Sequence, residues 1–416
     1  MIYYHQGLFM PRVHDVNMSR DLGDGYAFGD DFYPIWLTSG ECLRLRCDLY
    51  STEMTREIQT GLFGRALNSR HRTDPRTDYR TFAYPAFTDL LLWPTALLPF
   101  ATVRVLFVFL LGALTVASVI LWTRALGLPL PWEWMVLSIM LTLSSYQVLE
   151  GLYADQLGLL VGFLLAAAIL SLIRGRLMLA GVLLALTTIK PQMSLLVLFY
   201  LGLWTGYDWR QRRQLCLGFF ITMSLLVGSA VIVWPTWMQS WIQVILGYHR
   251  YARPPMVGEL LAVPLGPLAG TVTVVLVMIL LLVAAALAWR NRAAERGSRK
   301  FWLTMSLLLS ITTVTLLPGQ AIHDEVILLP ALLLLAWPSE HSSGTWTLKA
   351  LRVATAAVIV WPWFAAFTLI LLRPVLSTSL FSSQLVFAMP IRMAAVFPFV
   401  VLALLWLTAR TEALWY

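Results

Sequence analysis

Two adjacent carboxylates, Asp30 and Asp31, lie in Gly29-Asp-Asp-Phe-Tyr-Pro-Ile-Trp36, ahead of a helical-looking stretch from Trp36 to Leu45 and of Asp48-Leu-Tyr50. A carboxylate among aromatic residues suits a general base acting beside a ring-shaped ligand: it takes the proton of an incoming hydroxyl while rings such as Tyr33 and Trp36 pack on sugar C–H faces. Aspartate before a helix also serves as an N-cap that accepts backbone N–H bonds. Glu150 and Asp155-Gln156 form a second polar turn, either a plain solvated turn or part of a site. Lys190, between two short apolar segments, is costly unless it is paired or faces water, so it suits either an anionic partner such as a phosphate or an internal salt bridge. Tyr248-His249-Arg250-Tyr251-Ala252-Arg253 mixes cations and rings that can hold a lipid phosphate or anchor in the headgroup layer. His323 with Asp324 and Glu325 can stabilise a leaving phosphate or relay a proton, or sit satisfied in its loop.

The elements that must position these groups are membrane helices. The chain has 416 residues, 59% of them hydrophobic and 12% charged, with a mean hydropathy of +0.73. A soluble domain carries about 25% charged residues, so this chain has too little polar surface for water. The composition predicts an all-α polytopic membrane protein and excludes disordered, fibrous and disulfide-stapled secreted classes. Apolar stretches of about 20 residues predict spans near 102–122, 132–149, 156–173, 215–234, 268–289, 301–317, 351–371 and 391–408. Shorter ones fall near 177–189, 193–204 and 326–338, giving about eleven crossings. The two short segments around Lys190-Pro191-Gln192 predict a broken or hairpin-like pair lining a cavity. Residues 1–100 hold 10 Arg and 12 acidic residues and are expected to form a large extracytoplasmic segment with the catalytic carboxylates, with residues 101–416 as the transmembrane bundle. The outer loops of that bundle are expected at 235–258, 318–325 and 372–390.

Orientation follows from the excess of Lys and Arg in cytoplasmic loops. With the first segment outside, Arg124, Arg174, Arg176, Arg210, Arg212, Arg213, Arg290, Arg292, Arg296, Arg299, Lys300, Lys349, Arg352 and Arg410 fall inside, against six basic residues outside. A polar outer segment of this length calls for a preceding helix to carry it across, and an initial helix outside this chain is the expectation. Trp237 to Leu246 carries apolar residues at helical spacing, as expected of a short interfacial helix that either caps the bundle or forms a lid over a lipid groove. Cys42 and Cys47 fall in the outer segment, where a bridge is chemically possible; two free thiols are the alternative. No phosphate-cradling loop, dinucleotide fingerprint, HExxH or nucleophile elbow is present, and the basic residues sit in short loops with no nucleic-acid module. A lipid or sugar flippase would spread its charges through the membrane depth with two matching halves. Here the non-cytoplasmic charges collect on one face, which favours an enzyme. A non-catalytic glycan-assembly protein is the third possibility.

In order along the chain, Asp31-Phe-Tyr-Pro-Ile-Trp36, Asp48-Leu-Tyr50, Phe82-Ala-Tyr84-Pro85 and Leu97-Leu-Pro99 resemble the first outer loop of GT-C glycosyltransferases of family 87, polyprenyl-phosphate-mannose-dependent mannosyltransferases. Asp155-Gln156-Leu-Gly158, Arg174-Gly-Arg176, Ala180-Gly181 and Ile189-Lys190-Pro191 continue the resemblance, and His323 with Leu328-Leu-Pro330 is similar to the family's late histidine loop. The resemblance covers roughly residues 29–340. It departs in lacking a membrane helix ahead of the aspartate, in having Asp155 where the family has Gly, and in replacing a paired histidine with Asp324.

The resemblance implies a GT-C-like bundle and an inverting single displacement in a bacterial plasma membrane, with the active site facing outward. A polyprenyl-phosphate sugar, mannose or another hexose, is the donor and a lipid or glycan the acceptor. Asp31, or Asp30 beside it, is the implied base, and Lys190, His323, Arg250 and Arg253 are the groups for the donor phosphate. Tyr33, Trp36, Tyr84, Asp155, Gln156 and Asp324 are expected around sugar or acceptor. Because the donor carries a single phosphate, fixed cations suffice to hold it, and neither a metal nor another cofactor is required.

Overall fold

The computed structural model describes residues 1–19, 22, 28–45, 47–68, 74, 80–248, 253–336, 346–377 and 384–411. Helices dominate, and among the described residues the sole β feature is an isolated bridge between Pro255 and Pro318.

An N-terminal helical run (Ile2–Tyr4, a π-helical stretch His5–Phe9, then Met10–Ser19) packs against the bundle. Tyr4 donates to the carbonyl of Phe387 at 2.5 Å, and buried His5 meets Glu150 at 2.9 Å. The first polar segment then folds into helices rather than an open loop: α1 (Tyr33–Leu45), α2 (Thr52–Phe63) and α3 (Phe87–Leu92). The Ser51 hydroxyl starts α2 by accepting the N–H of Met54 at 3.1 Å, and Gly64 ends it in the left-handed region. Cys42 and Cys47 form a disulfide that clips the end of α1 to the chain leading to α2.

The bundle follows. Its helices are α4 (Phe100–Ala125), α5 (Trp132–Leu143), α6 (Tyr146–Tyr153), α7 (Leu157–Ile173), α8 (Leu177–Leu186), α9 (Pro191–Tyr207), α10 (Trp209–Val233), α11 (Trp237–Gly247), α12 (Met256–Leu265), α13 (Ala269–Arg290), α14 (Arg299–Thr315), α15 (Leu329–Ala336), α16 (Trp346–Leu372) and α17 (Met389–Thr411). Among the described residues, helices occupy every apolar stretch expected from the sequence. Among the described residues, four are long and apolar enough to cross a membrane: α4, α10, the joined α12–α13 run and α17. They become five if the bent pair α5–α6 is one span.

That pair departs from the single straight span expected over 132–149, because α5 and α6 meet at 57°. The cause is local. The hydroxyl of Ser145 accepts the N–H of Val148 and restarts the hydrogen-bond ladder, while Ser144 donates to the carbonyl of Met140 at 2.7 Å and accepts Trp363 Nε1 at 2.9 Å. The second break, at Lys190, follows from Pro191. One 3-10 turn (Thr187–Ile189) ends α8, Lys190 leaves helical geometry, and Pro191 opens α9, where its missing N–H costs nothing.

Burial sorts the helices into layers. In α14 every residue from Phe301 to Thr315 is buried, and most of its hydroxyls donate within the helix, Ser310 to the carbonyl of Ser306 and Thr312 to that of Leu308 among them. By contrast, α10 and α13 present Leu225, Ile232, Val274 and Leu282 outward, each at least 64% exposed. Apolar faces of that extent belong against lipid.

Candidate functional site

The site begins at a turn that only one backbone shape allows. Gly29 adopts φ +82°, and a Cβ there would lie 2.9 Å from Asp155 Oδ2. The turn docks on the polar turn after α6: Gly29 N–H donates to the carbonyl of Tyr153 at 2.8 Å and Asp31 N–H to that of Ala154 at 3.2 Å. Two carboxylate-bearing turns 124 positions apart are therefore fastened backbone to backbone. Asp155 itself is left-handed (φ +53°), a conformation rare for a side chain-bearing residue.

A chain of polar contacts runs from this turn. Asp31 Oδ2 accepts from Gln156 Nε2 at 2.6 Å, and Asp31 Oδ1 accepts from Arg80 Nη1, whose Nη2 reaches Asp30 at 2.7 Å. Gln156 Oε1 in turn accepts from Lys190 Nζ at 2.9 Å, and Lys190 donates to Asp324 Oδ1 at 2.7 Å. His323 Nε2 stands 3.6 Å from that same oxygen. The Tyr84 hydroxyl reaches Gln156 Oε1 at 3.4 Å. Gly158, the second residue of α7, is the clearance for this arrangement, since any Cβ there would clash with Asp324 Oδ1 and come within 3.6 Å of Lys190 Nζ.

Asp30, Asp31, Tyr84, Gln156, Lys190, His323 and Asp324 thus come together from five distant stretches. Asp155 adjoins them but faces Gly29 and Arg104. Tyr33 and Trp36 do not join: their rings pack on Phe100 at 5.1 and 5.4 Å, and Trp36 Nε1 donates to the carbonyl of Leu98 at 3.0 Å. Arg253 pairs with Glu259 at 3.3 Å on an exposed surface. Arg250 lies outside the described residues. Sequence reasoning missed Arg80, and also His5, whose contact shows Glu150 to be more than a solvated turn. Nothing in spacing singles out Arg80 from Arg65, Arg70, Arg72 and Arg76; only an excess of arginines near acids hinted at it.

Helix α11 closes over the first segment: Trp237 packs edge-on against Phe87 at 6.1 Å, and Trp241 Nε1 donates to the carbonyl of Ala83 at 3.0 Å. Its polar residues Ser240 and Gln243, with Val244 and Gly247, line a cavity of about 310 Å³ against Asp48 and Tyr50. Tyr50 connects this cavity to the network by donating to the carbonyl of Tyr84 at 2.8 Å.

The sequence model of glycosyltransferase family 87 matches residues 82–318, more than half of the chain. The chain belongs to glycosyltransferase family 87. It is a membrane glycosyltransferase. No curated protein and no solved structure matches the chain. The family match takes in Tyr84, Asp155, Gln156 and Lys190 and stops short of both Asp30-Asp31 and His323, which the fold nevertheless brings to the same place.

The electrostatics of this glycosyltransferase separate its carboxylates. Burial opposes the charge of Asp31, yet the Arg80 guanidinium, then His323, the Gln156 amide and Lys190, hold its carboxyl below the usual range, so it is ionised at neutral pH. Asp155 is the reverse: burial pushes it up to about 8, with Arg104 offsetting only part, and neither carboxyl oxygen has a hydrogen-bond partner. Burial also lowers the His323 imidazole against the pull of Asp324, leaving it neutral at pH 7. The site therefore offers an ionised carboxylate with a quarter of its side chain exposed, two fixed cations and a neutral imidazole.

Proposed function

We propose that this family 87 enzyme transfers a sugar, mannose or another hexose, from a polyprenyl-phosphate donor to a lipid or glycan acceptor. The observation that carries this reading is the contact chain Arg80–Asp31–Gln156–Lys190–Asp324 beside His323, which places one ionised carboxylate among cations at one end of a lipid-facing bundle. Asp31 serves as general base and deprotonates the acceptor hydroxyl, which attacks the anomeric carbon and inverts it. Lys190 and His323 lie toward the donor phosphate, and Tyr84, Gln156 and Asp324 toward the sugar. The acceptor approaches through the cavity lined by Asp48, Tyr50, Ser240 and Gln243, whose carboxylate, phenol, hydroxyl and amide suit a polyhydroxylated group. Because these cations are built into the chain, a divalent metal is not required to hold a single phosphate.

This end of the molecule faces the extracytoplasmic side of the plasma membrane in our reading. Two features support that placement: the Cys42–Cys47 disulfide lies at this end, as expected of an oxidising compartment, and the arginine-rich turns gather at the opposite one. In this reading the remaining apolar helices α7, α8, α9, α14 and α16, with α15 and the turn before it, would make up the further crossings toward about eleven.

Asp31→Asn tests the base. In membranes supplied with polyprenyl-phosphate mannose, the variant is expected to lose transfer by roughly 10²–10⁴-fold at unchanged expression. Full activity in both Asp31→Asn and Asp30→Asn would remove the assignment.

A further inference from the structure

Both fixed cations of the site are already held by carboxylates, Lys190 by Asp324 and Arg80 by Asp30 and Asp31. Along the described contact chain, an entering phosphodiester therefore reaches Arg80 or Lys190 by displacing an acid. The two pairs differ in how readily they yield. Lys190 and Asp324 are 6% and 1% exposed, with Gly158 packed against them, and a separated pair would leave two buried charges unanswered. Asp31 is 25% exposed, keeps Gln156 as a donor if it leaves Arg80, and can take up water in exchange. Arg80 meanwhile retains Asp30 through Nη2. A guanidinium fork can hold two different anions at once, one per edge nitrogen.

We propose that Arg80 binds the phosphate of the donor, which takes the place of Asp31 on Nη1, so that donor binding itself unmasks the general base. This rests on the transferase reading above. Before exchange, Asp31 is ion-paired and a weak base; afterwards its affinity for a proton rises. The acceptor oxygen then bonds to the anomeric carbon, the bond from that carbon to the phosphate oxygen breaks with its electron pair on the departing polyprenyl phosphate, and the hydroxyl proton ends on Asp31. In the empty enzyme the base stays masked.

The exchange predicts that removing the competing carboxylate strengthens donor binding. With full-length protein in nanodiscs and polyprenyl-phosphate mannose as probe, Asp31→Asn should bind about tenfold more tightly than wild type even though it transfers nothing. Arg80→Gln should bind at least about tenfold more weakly, and the double variant should follow Arg80→Gln. Unchanged or weaker binding in Asp31→Asn overturns the proposal, as does unchanged binding in Arg80→Gln; should Arg80→Gln fail to fold, the sign of the Asp31→Asn effect decides alone. A pH profile gives a readout that a purely structural role would not move. Asp31 is faced by Arg80, Lys190, His323, Gln156 and Tyr84, with Asp30 adjacent. Loss of Arg80 should move the acid limb of kcat/KM to higher pH while the limb of kcat stays in place; both limbs moving together would count against the exchange. Wild-type protein that binds the donor without transferring sugar would sink the transferase reading instead, and the binding series would still decide the role of Arg80.

Discussion

The two ends of the bundle use positive charge in opposite ways. At one end Arg80 and Lys190 are nearly buried and answered by carboxylates from segments 49 to 134 positions away. At the other, where α4, α7, α9 and α13 end and α10 and α14 begin, arginines are answered by rings and backbone carbonyls. Arg212 stacks on Trp204 at 3.7 Å and donates to its carbonyl at 2.7 Å, and Arg292 lies over Trp289 at 4.0 Å. Arg296 donates to the carbonyl of Leu172 and Trp204 Nε1 to that of Ala294, which ties these turns together through backbone carbonyls. A charge that serves orientation needs only an interface and a ring to lie on. A charge that serves chemistry must be held in a dry place, and the fold there answers it with buried carboxylates.

The largest expected effect comes from breaking the buried pair. Lys190→Met should abolish measurable transfer, a loss of at least about 10²-fold. It should also lower stability by about 3–5 kcal/mol, because Asp324 is left buried without its counter-charge. Adding Asp324→Asn should recover much of the stability, read as thermal melting in detergent, and none of the transfer. Equal melting of Lys190→Met and wild type would mean that this end is no more demanding of its charges than the other.

How much of this contrast was legible in the sequence depends on which physical constraint does the work. Apolar stretches must be helices in lipid, so their positions were legible, as was the break at Lys190-Pro191, where a charge and a proline coincide. The bend at Ser144-Ser145 was not, because hydropathy averages over a window and is blind to a hydroxyl that caps. Asp31, Gln156, Lys190 and His323 stood out as polar groups beside apolar surroundings. Arg80 did not, for it sits in a polar, arginine-rich stretch and acquires its place only when the chain folds back 49 residues onto Asp31. Tyr33 and Trp36 show the converse: residues adjacent to a base in sequence turn away from it along a helix and fill the junction with Phe100 instead. The Cys42–Cys47 pairing was open in the sequence and is decided by the end of α1.

A smaller effect isolates burial from pairing at the site end. Asp155 carries a carboxyl pushed up to about 8 by burial, against an unfolded value near ~4. Its folded form therefore holds a proton that the unfolded chain has released, so stability falls as pH rises from about 4 to about 8 and levels off above. Asp155→Asn keeps the shape without the titration. Melting curves should coincide near pH 4 and separate by pH 8, where the variant is the more stable by several degrees, about 3 °C or more. Parallel curves across that range would show that the carboxyl is solvated in the protein.

The smallest effect belongs to the opposite end. Arg212→Ala removes one stacking contact and one hydrogen bond to a carbonyl that other donors and water at the interface can replace. A cation over a ring at a partly exposed site contributes about 0.5–1 kcal/mol, so melting should drop by no more than a few degrees, about 1–3 °C. Transfer should be unaffected, since among the described residues Arg212 stacks on and bonds to Trp204, away from the network at the far ends of α8 and α9. Arg212→Lys sharpens the point: it keeps the charge that orients the chain and loses the flat face that stacks, so topology should hold while the small loss of stability remains. A fall in transfer comparable to that of Lys190→Met would show the two ends to be coupled through α9, whose first residue follows Lys190 and whose Trp204 carries Arg212.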